Sequence, residues 1–202
     1  MTPKTASPRL WRNAPSPYLD SLQQAWLCQP GALTAGLRKL GQVRLFVCRE
    51  ATLALPASWA AEAGLQIGSA IWWREILMTV NGLPSVQACS FTSWHGCLGA
   101  WKAMRGLGSR PLADILYQDP RIARSPFRFG RLHAHQTGVP GATTQANAPV
   151  EARHSVFMRL GQPLLVAEYF LPTFWALAGQ SGATGPRRRF PLCEYALPAR
   201  PA

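Results

Sequence analysis

Two charged side chains lie inside apolar, strand-like segments of this sequence, and they carry its strongest chemical signal. Arg74 lies in the segment WWREIL at 72–77, and Glu168 lies in LLVAEYFLP at 164–172. A buried charge costs several kcal/mol unless it is paired or meets a ligand. We therefore predict that these two side chains face each other, or face a polar ligand that binds between them.

The side chain of Arg74 is suited to binding a carboxylate. Strand alternation places it on the same face as Trp72, Ile76 and Met78, so it projects from an apolar surface. A guanidinium donates two parallel hydrogen bonds to a carboxylate, a geometry that lysine cannot reproduce. The alternative is an edge-strand arginine whose aliphatic stem covers apolar surface while its charged end reaches water.

Glu168 is open to two interpretations of equal weight. It shares a strand face with Leu164, Val166 and Phe170. A carboxylate in such a setting can belong to a structural ion pair, with Arg74 itself as one candidate partner. It can also have a raised pKa and act as an acid, a base or an acceptor for a ligand hydroxyl.

Other chemical signals are weaker. His133 and His135 form an H-x-H pair, but no third ligand stands at a diagnostic spacing, which favours surface histidines. The arginine run at 187–189 lacks interleaved aromatic residues and any recognisable nucleic-acid module, which favours a solvated segment. The sequence has no G-x-S-x-G motif, P-loop or dinucleotide fingerprint. We accordingly predict no cofactor, no metal and no nucleic-acid partner.

The elements that must position Arg74 and Glu168 are predicted to be strands of an antiparallel sheet. Two β-rich runs flank Asn81-Gly82, a strong hairpin signal because both residues tolerate positive φ. Strands are predicted at 43–48, 70–80, 83–94, 153–160 and 163–171, the last two joined at 161–162. Helices are predicted at 18–29, with Pro17 in the first turn, and at 33–40, 98–107 and 111–117. Hairpins with helices outside them indicate an α+β domain.

Length and composition fit one domain over 1–202, with 48% hydrophobic residues. The Pro-rich lead-in at 1–17 is predicted to be loose, 137–149 to be a loop, and 176–190 to be mobile or surface-lying. The net charge of +12, from 21 Lys and Arg against 9 Asp and Glu, attracts anionic partners. Nucleic acid, anionic lipid and small carboxylates all fit that sign.

The cysteines and the apolar runs bear on location. Five cysteines without paired spacing, mostly in apolar segments, favour reduced core thiols in a cytoplasmic protein. They are Cys28, Cys48, Cys89, Cys97 and Cys193. The first ten residues lack the apolar region of a secretory signal, and no apolar run approaches the ~18 residues of a membrane span. We predict no stable membrane insertion.

The strands that carry Arg74 and Glu168 also resemble those of the chorismate lyase family. The matching elements, in family order, are WL at 26–27, GALT at 31–34, RE at 49–50, WWREIL at 72–77, LGSRPL at 107–112, LY at 116–117, RHS at 153–155, GQPLL at 161–165 and EYFLP at 168–172. Each motif is short, but their shared order from 26 to 172 is specific.

The resemblance implies a single antiparallel sheet with helices packed on one side, forming flaps over an internal ligand cavity. It implies a lyase that converts chorismate to 4-hydroxybenzoate and pyruvate, the first step of ubiquinone biosynthesis, as a cofactor-free monomer. The substrate-binding residues would be Leu33, Arg74, Leu112 and Glu168, with Arg74 and Glu168 also catalytic. The family core would span 18–172, and 173–202 would be an extended C-terminal tail.

The competing class is a non-catalytic module that binds a small carboxylate. A related fold senses effectors in bacterial transcription regulators, which carry a helical DNA-binding domain ahead of it. Here only a short, Pro-rich segment precedes the first matching motif at 26–27. That argues against a regulator, and the joint presence of Arg74 and Glu168 argues against an idle relative.

Overall fold

The computed structural model describes residues 10–133 and 149–182, which form one seven-stranded antiparallel sheet with helices. This is the α+β class predicted from the sequence. The strands are β1 (Val43–Ala54), β2 (Ala70–Val80), β3 (Leu83–Ser93), β4 (Ala123–Arg124), β5 (Arg128–Leu132), β6 (Val150–Arg159) and β7 (Gln162–Phe170). The helices are α1 (Ser21–Cys28), α2 (Leu33–Leu37), α3 (Ala57–Ala63), α4 (Trp94–Leu98), a 3₁₀ helix (Lys102–Gly106), α5 (Ala113–Leu116) and α6 (Pro172–Gly182).

Two tight hairpins build the centre of the sheet. Asn81 (φ 52°) and Gly82 (φ 81°) join β2 to β3, as the Asn-Gly signal predicts. Leu160 (φ 48°) and Gly161 (φ 72°) join β6 to β7, one residue earlier than predicted. The strand order is β1-β2-β3-β7-β6-β4, with β5 also paired to β6. Both β2 and β7 therefore border β3, which brings their side chains onto one continuous surface.

Helices cover both faces of this sheet, in unequal numbers. The face that carries Arg74 and Glu168 packs against α1, α2, α6 and the segment from α4 to α5, through two apolar clusters. On the opposite face, Trp59 and Ala60 of α3 pack with Trp73. The expectation that all helices lie on one side is therefore wrong for α3, a helix that the sequence analysis did not predict. Its alanine-rich sequence gives only a weak helical pattern.

The helix α1 begins later than predicted. Asp20 is its N-cap: its carboxylate accepts from the backbone N–H of Gln23, and the Gln23 side chain accepts from the backbone N–H of Asp20. This reciprocal capping box satisfies the backbone N–H groups of Asp20 and Gln23. Pro17 has no side-chain acceptor and could not cap a helix in this way. Pro17 therefore precedes the helix instead of occupying its first turn.

Both ends of the described chain are more ordered than the sequence suggested. Within the lead-in, Trp11 is buried in the core cluster that contains Trp59, and Arg12 forms a backbone bridge with Phe129. At the other end, 172–182 forms α6, whose Phe174 and Ala178 are buried. Residues 172–182 therefore form a helix that packs on the core by one face, while Ala176, Gly179 and Gln180 stay exposed, in agreement with the surface-lying prediction for 176–190. The remainder of the tail and the 137–148 segment lie outside the described residues.

The cysteine prediction holds in part. Cys89 and Cys97 are buried free thiols, as expected, whereas Cys48 is free but exposed on β1. Cys28 is disulfide-bonded, which contradicts the expectation that all five are reduced. Cys193 lies outside the described residues. In the described part of the chain, no helix is long and apolar enough to cross a membrane.

Candidate active site

A cavity lies between the sheet and the helices that cover it, and all four residues predicted to bind substrate line it. Arg74 and Glu168 extend from the sheet, Leu33 is the first residue of α2, and Leu112 is the N-cap of α5. The wall is mostly apolar, with Ile76, Met78, Phe157 and Val166 among its other members. Such a wall excludes water and strengthens the electrostatic contacts made inside.

The strand register sets the spacing of the two charges. Arg74 pairs with Ser90 of β3, whereas Glu168 pairs with Ala88, two residues further along that strand. Two strand spacings across the sheet and two residues along it place their Cα atoms roughly 12 Å apart. Both side chains project from the same face, so a single ring with polar substituents at opposite ends can bridge them.

Arg74 is buried and already has two protein partners. Its Nε donates to Glu50 Oε1 at 3.1 Å, and its Nη2 donates to the carbonyl oxygen of Gly108. Burial lowers the pKa of the Arg74 guanidinium, and the Glu50 carboxylate opposes that shift. The group stays cationic because an arginine pKa begins above 12. These partners hold the guanidinium at the cavity wall and use two of its five N–H donors.

The partner of Glu168 is Arg153 on β6. Arg153 Nε donates to Glu168 Oε2 at 2.6 Å, a short charge-assisted hydrogen bond between directly opposed residues of β6 and β7. The interpretation of Glu168 as the ion-pair partner of Arg74 is therefore wrong. The register gives each charge its own partner, since Arg74 lies directly opposite Glu50 on β1.

Sequence reasoning did not place Arg153 in the site. It is only 1% exposed and lines the cavity beside Glu168. A signal was present, because Arg153 occupies an alternating strand and belongs to the RHS motif at 153–155. Its role was hidden because its other contacts, the carbonyls near the end of α1, are more than 120 residues away in sequence.

Ser90 and Ser155 add small polar groups to the wall, whereas the Cys89 side chain lies on the opposite face of the sheet, in the cluster with Trp59 and Trp73. Burial raises the pKa of Cys89 to about 12, so its thiol is protonated at neutral pH and is not a nucleophile there. The Cys89 thiol lies 3.6 Å from the hydroxyl of Tyr169. The charged groups of the cavity wall are thus Arg74, Arg153 and Glu168, a set that favours an anionic ligand.

Only one histidine of the H-x-H pair lies within the described residues. His133 follows β5, and His135 lies outside the described residues. Across 10–133 and 149–182, no three His, Cys, Asp or Glu side chains are grouped as a metal site requires. The arginine run at 187–189 also lies outside this part of the chain.

The fold and the cavity together define an α+β protein with a largely apolar, positively charged cavity for a small molecule. The family model for chorismate lyase matches residues 7–180, and the chain belongs to that family. This confirms the resemblance seen in the sequence motifs, and it extends the match beyond 172 into α6.

Two relatives illustrate the match. The chain is 48% identical over 186 residues to the "Probable chorismate pyruvate-lyase" of Bordetella pertussis, covering 88% of this chain and 96% of that protein. It is 37% identical over 177 residues to the "Probable chorismate pyruvate-lyase 1" of Burkholderia pseudomallei, covering 87% and 96%. Among solved structures, the PhnF C-terminal domain matches 67% of this chain and 87% of its own, with a TM-score of 0.51 and 14% identity. That likeness shows the fold alone.

Proposed function

We propose that this protein is a chorismate pyruvate-lyase, a carbon–oxygen lyase that converts chorismate to 4-hydroxybenzoate and pyruvate. The observation that carries the proposal is the placement of Arg74 and Glu168 on one face of the sheet, in the wall of one apolar cavity. In the proposed setting the enzyme is a cytoplasmic monomer that supplies 4-hydroxybenzoate to ubiquinone biosynthesis.

The reaction is an elimination in which every atom is accounted for by substrate and products. The ether bond between the ring carbon and the enolpyruvyl oxygen breaks, and the oxygen leaves with the bonding pair. The neighbouring ring carbon, which bears the hydroxyl, loses its proton. The ring becomes aromatic, and the enolpyruvate takes up a proton to become pyruvate. Aromatisation supplies much of the driving force, so the protein's task is orientation and electrostatic stabilisation.

In this proposal Arg74 binds the ring carboxylate. Its guanidinium is held by Glu50 and Gly108, and its other N–H groups are available to a carboxylate in the cavity. Because the guanidinium is already ordered, little side-chain entropy is lost when the ligand binds. Leu33 and Leu112 provide apolar surface against the ring, on elements that cover the cavity.

Glu168 would lie at the other end of the ring, where the substrate carries its hydroxyl. Its pairing with Arg153 supports a carboxylate that is held in one orientation. Such a group can accept the hydroxyl hydrogen bond and can stabilise positive charge that develops on the ring, or it can take the proton itself. We favour orientation with an electrostatic contribution, because Arg153 holds one carboxylate oxygen of Glu168 in place, so the other oxygen can meet the hydroxyl in a fixed geometry.

The test is incubation of the purified protein with chorismate alone, followed by chromatography of 4-hydroxybenzoate and pyruvate. We expect both products in equal amounts, with the rate proportional to protein concentration. The variant Arg74→Ala, checked for folding by circular dichroism, is the matched control and should be strongly impaired. A folded wild-type protein that binds 4-hydroxybenzoate but forms no pyruvate would refute the lyase proposal and would favour the small-carboxylate-binding module.

A further inference from the structure

Arg153 joins two parts of the site that are far apart in sequence. Its guanidinium is buried beneath the ring of Phe127, with 4.2 Å between the guanidinium carbon and the ring centroid. On one side its Nε donates to Glu168 at 2.6 Å. On the other side its Nη1 lies within hydrogen-bonding distance of the carbonyl oxygens of Trp26 (3.2 Å), Leu27 (3.0 Å) and Gln29 (2.9 Å).

These carbonyls belong to the end of α1, where the last backbone acceptors lack i+4 donors within the helix; the Trp26 carbonyl also accepts from the backbone N–H of the C-cap residue Gln29. The last turn of α1 contains no basic residue of its own, so Arg153 supplies the positive charge that a helix C-terminus favours. The chain then continues through 31–34, which lines the cavity. One guanidinium therefore fixes both the glutamate and the start of the segment that covers it.

The geometry also distinguishes the two carboxylate oxygens of Glu168. Arg153 uses Oε2, and no hydrogen bond to Oε1 is found among the described residues. A glutamate in an apolar cavity has three side-chain torsions, and without a partner it would sample several orientations. Pairing one oxygen with a buried, stacked guanidinium restricts it to a single orientation and leaves the other oxygen for a ligand hydroxyl.

We propose that Arg153 is a positioning residue for the reaction: it holds Glu168 in the orientation that accepts the substrate hydroxyl and ties that orientation to the end of α1. The inference rests on the proposed lyase function, and it assigns to Arg153 an action that passes through Glu168. A purely structural arginine would stabilise the end of α1 and would affect turnover only through the fold.

A double-mutant cycle separates the two roles. The variants are Arg153→Lys, Glu168→Gln and their combination, and the measured quantity is kcat/KM for chorismate. Lysine keeps the charge and one donor nitrogen, but a single nitrogen cannot reach Glu168 and the α1 carbonyls as a planar fork does. Arg131→Lys is the matched control, because Arg131 also pairs with a glutamate, Glu151, but is largely exposed outside the cavity.

We expect Arg153→Lys to lower kcat/KM by roughly 10- to 100-fold, mainly in kcat, the range of a lost charged hydrogen bond. In the Glu168→Gln background the same change should cost no more than about 3-fold, because residues that act as a unit are not additive. Arg131→Lys should leave kcat/KM unchanged. If Arg153→Lys does not fold, Arg153→Gln takes its place in the cycle, and the same ratio of kcat/KM values is measured. The combination of Arg153→Gln with Glu168→Gln contains no unpaired buried charge at these two positions.

Two outcomes would overturn the inference. Equal costs of Arg153→Lys in the two backgrounds would show that Arg153 acts independently of Glu168, and a negligible cost in the wild-type background would show that it does not act on the reaction. A wild-type protein that fails to convert chorismate would instead overturn the lyase proposal, and the positioning role with it, so the two failures are distinguishable.

Discussion

Replacement of Arg74 by lysine is the most direct test of the proposed carboxylate site. Arg74 is 1% exposed and bonds to both Glu50 and the Gly108 carbonyl. Lysine retains the positive charge, so Glu50 is not left facing an uncharged residue. It loses the planar fork, so one ammonium group cannot serve Glu50, Gly108 and a ligand carboxylate together. The substitution thus preserves the positive charge at this position but removes the planar arrangement of several N–H donors.

The magnitude follows from the hydrogen bonds that are lost. A hydrogen bond to a charged group contributes about 1.5 to 3 kcal/mol, so losing the second arm of a bidentate contact should lower kcat/KM roughly 10- to 150-fold. Arg74→Ala also leaves Glu50 without its partner and removes the guanidinium that would bind the ligand carboxylate. These losses should weaken transition-state binding by about 2 to 5 kcal/mol. Because Glu50 is partly exposed, most of the loss should appear in ligand binding and turnover and less in folding.

The assay is steady-state turnover of chorismate, together with 4-hydroxybenzoate affinity measured by isothermal titration calorimetry. Thermal melts report folding, and Arg131→Lys is again the control for an exposed arginine in an ion pair. Near-normal turnover and affinity in Arg74→Lys would refute the bidentate contact. A melting temperature that falls as steeply as the affinity would show that Arg74 serves mainly the fold.

Three further predictions concern the rest of the molecule. Turnover should survive treatment with a metal chelator, because the sequence has no metal or cofactor motif; loss of activity that a divalent ion restores would contradict this. Phe174→Ala should lower the free energy of unfolding by about 3 to 5 kcal/mol in denaturant titrations, because Phe174 is fully buried; Tyr18→Ala, at a 95% exposed position, should change it by less than about 0.5 kcal/mol. Burial lowers the pKa of His154 from 6.5, so the unfolded chain binds that proton more tightly, and stability present above pH 6.5 should be lost as pH falls through the folded-state pKa. His154→Gln should therefore flatten the dependence of unfolding free energy on pH below 6.5; equal slopes in the wild-type protein and in this variant would contradict the assignment.

The sequence was sufficient to predict the five strands that hold the site, β1, β2, β3, β6 and β7, whereas β4 and β5 beside β6 were not predicted. The Asn81-Gly82 hairpin carries its own turn chemistry, and alternation puts Arg74 on the face of Ile76 and Met78, so the face of the charge follows from local pattern alone. Leu33 and Leu112 had no such signal, because the local sequence pattern of a leucine in a short helix is the same whether its side chain lines a cavity or packs in a core. Their placement came from the family resemblance, and the structure brings both to the cavity wall.

The parts that sequence reasoning missed depend on contacts between distant segments. The α6 region is rich in alanine and glycine and has no strong amphipathic pattern, yet Phe174 orders it by packing against Phe170 and Trp26. Trp11 looked like part of a loose lead-in because its partners, Trp59 and His154, are far away in sequence. In each case tertiary packing overrides a weak local propensity, as expected where most helix stability comes from burial.

The register of the sheet ties the stability of the fold to the arrangement of the charges. Arg74 faces Glu50 across β1 and β2, and Arg153 faces Glu168 across β6 and β7, so both pairs are direct cross-strand neighbours. A slip of one residue in either ladder would turn these side chains to the opposite face and leave buried charges without partners. The native register is therefore favoured by the same ion pairs that orient the cavity, and each arginine also bonds to backbone carbonyls of a covering segment. One set of contacts therefore favours the correct strand pairing, holds the covering segments over the cavity and orients its charged groups.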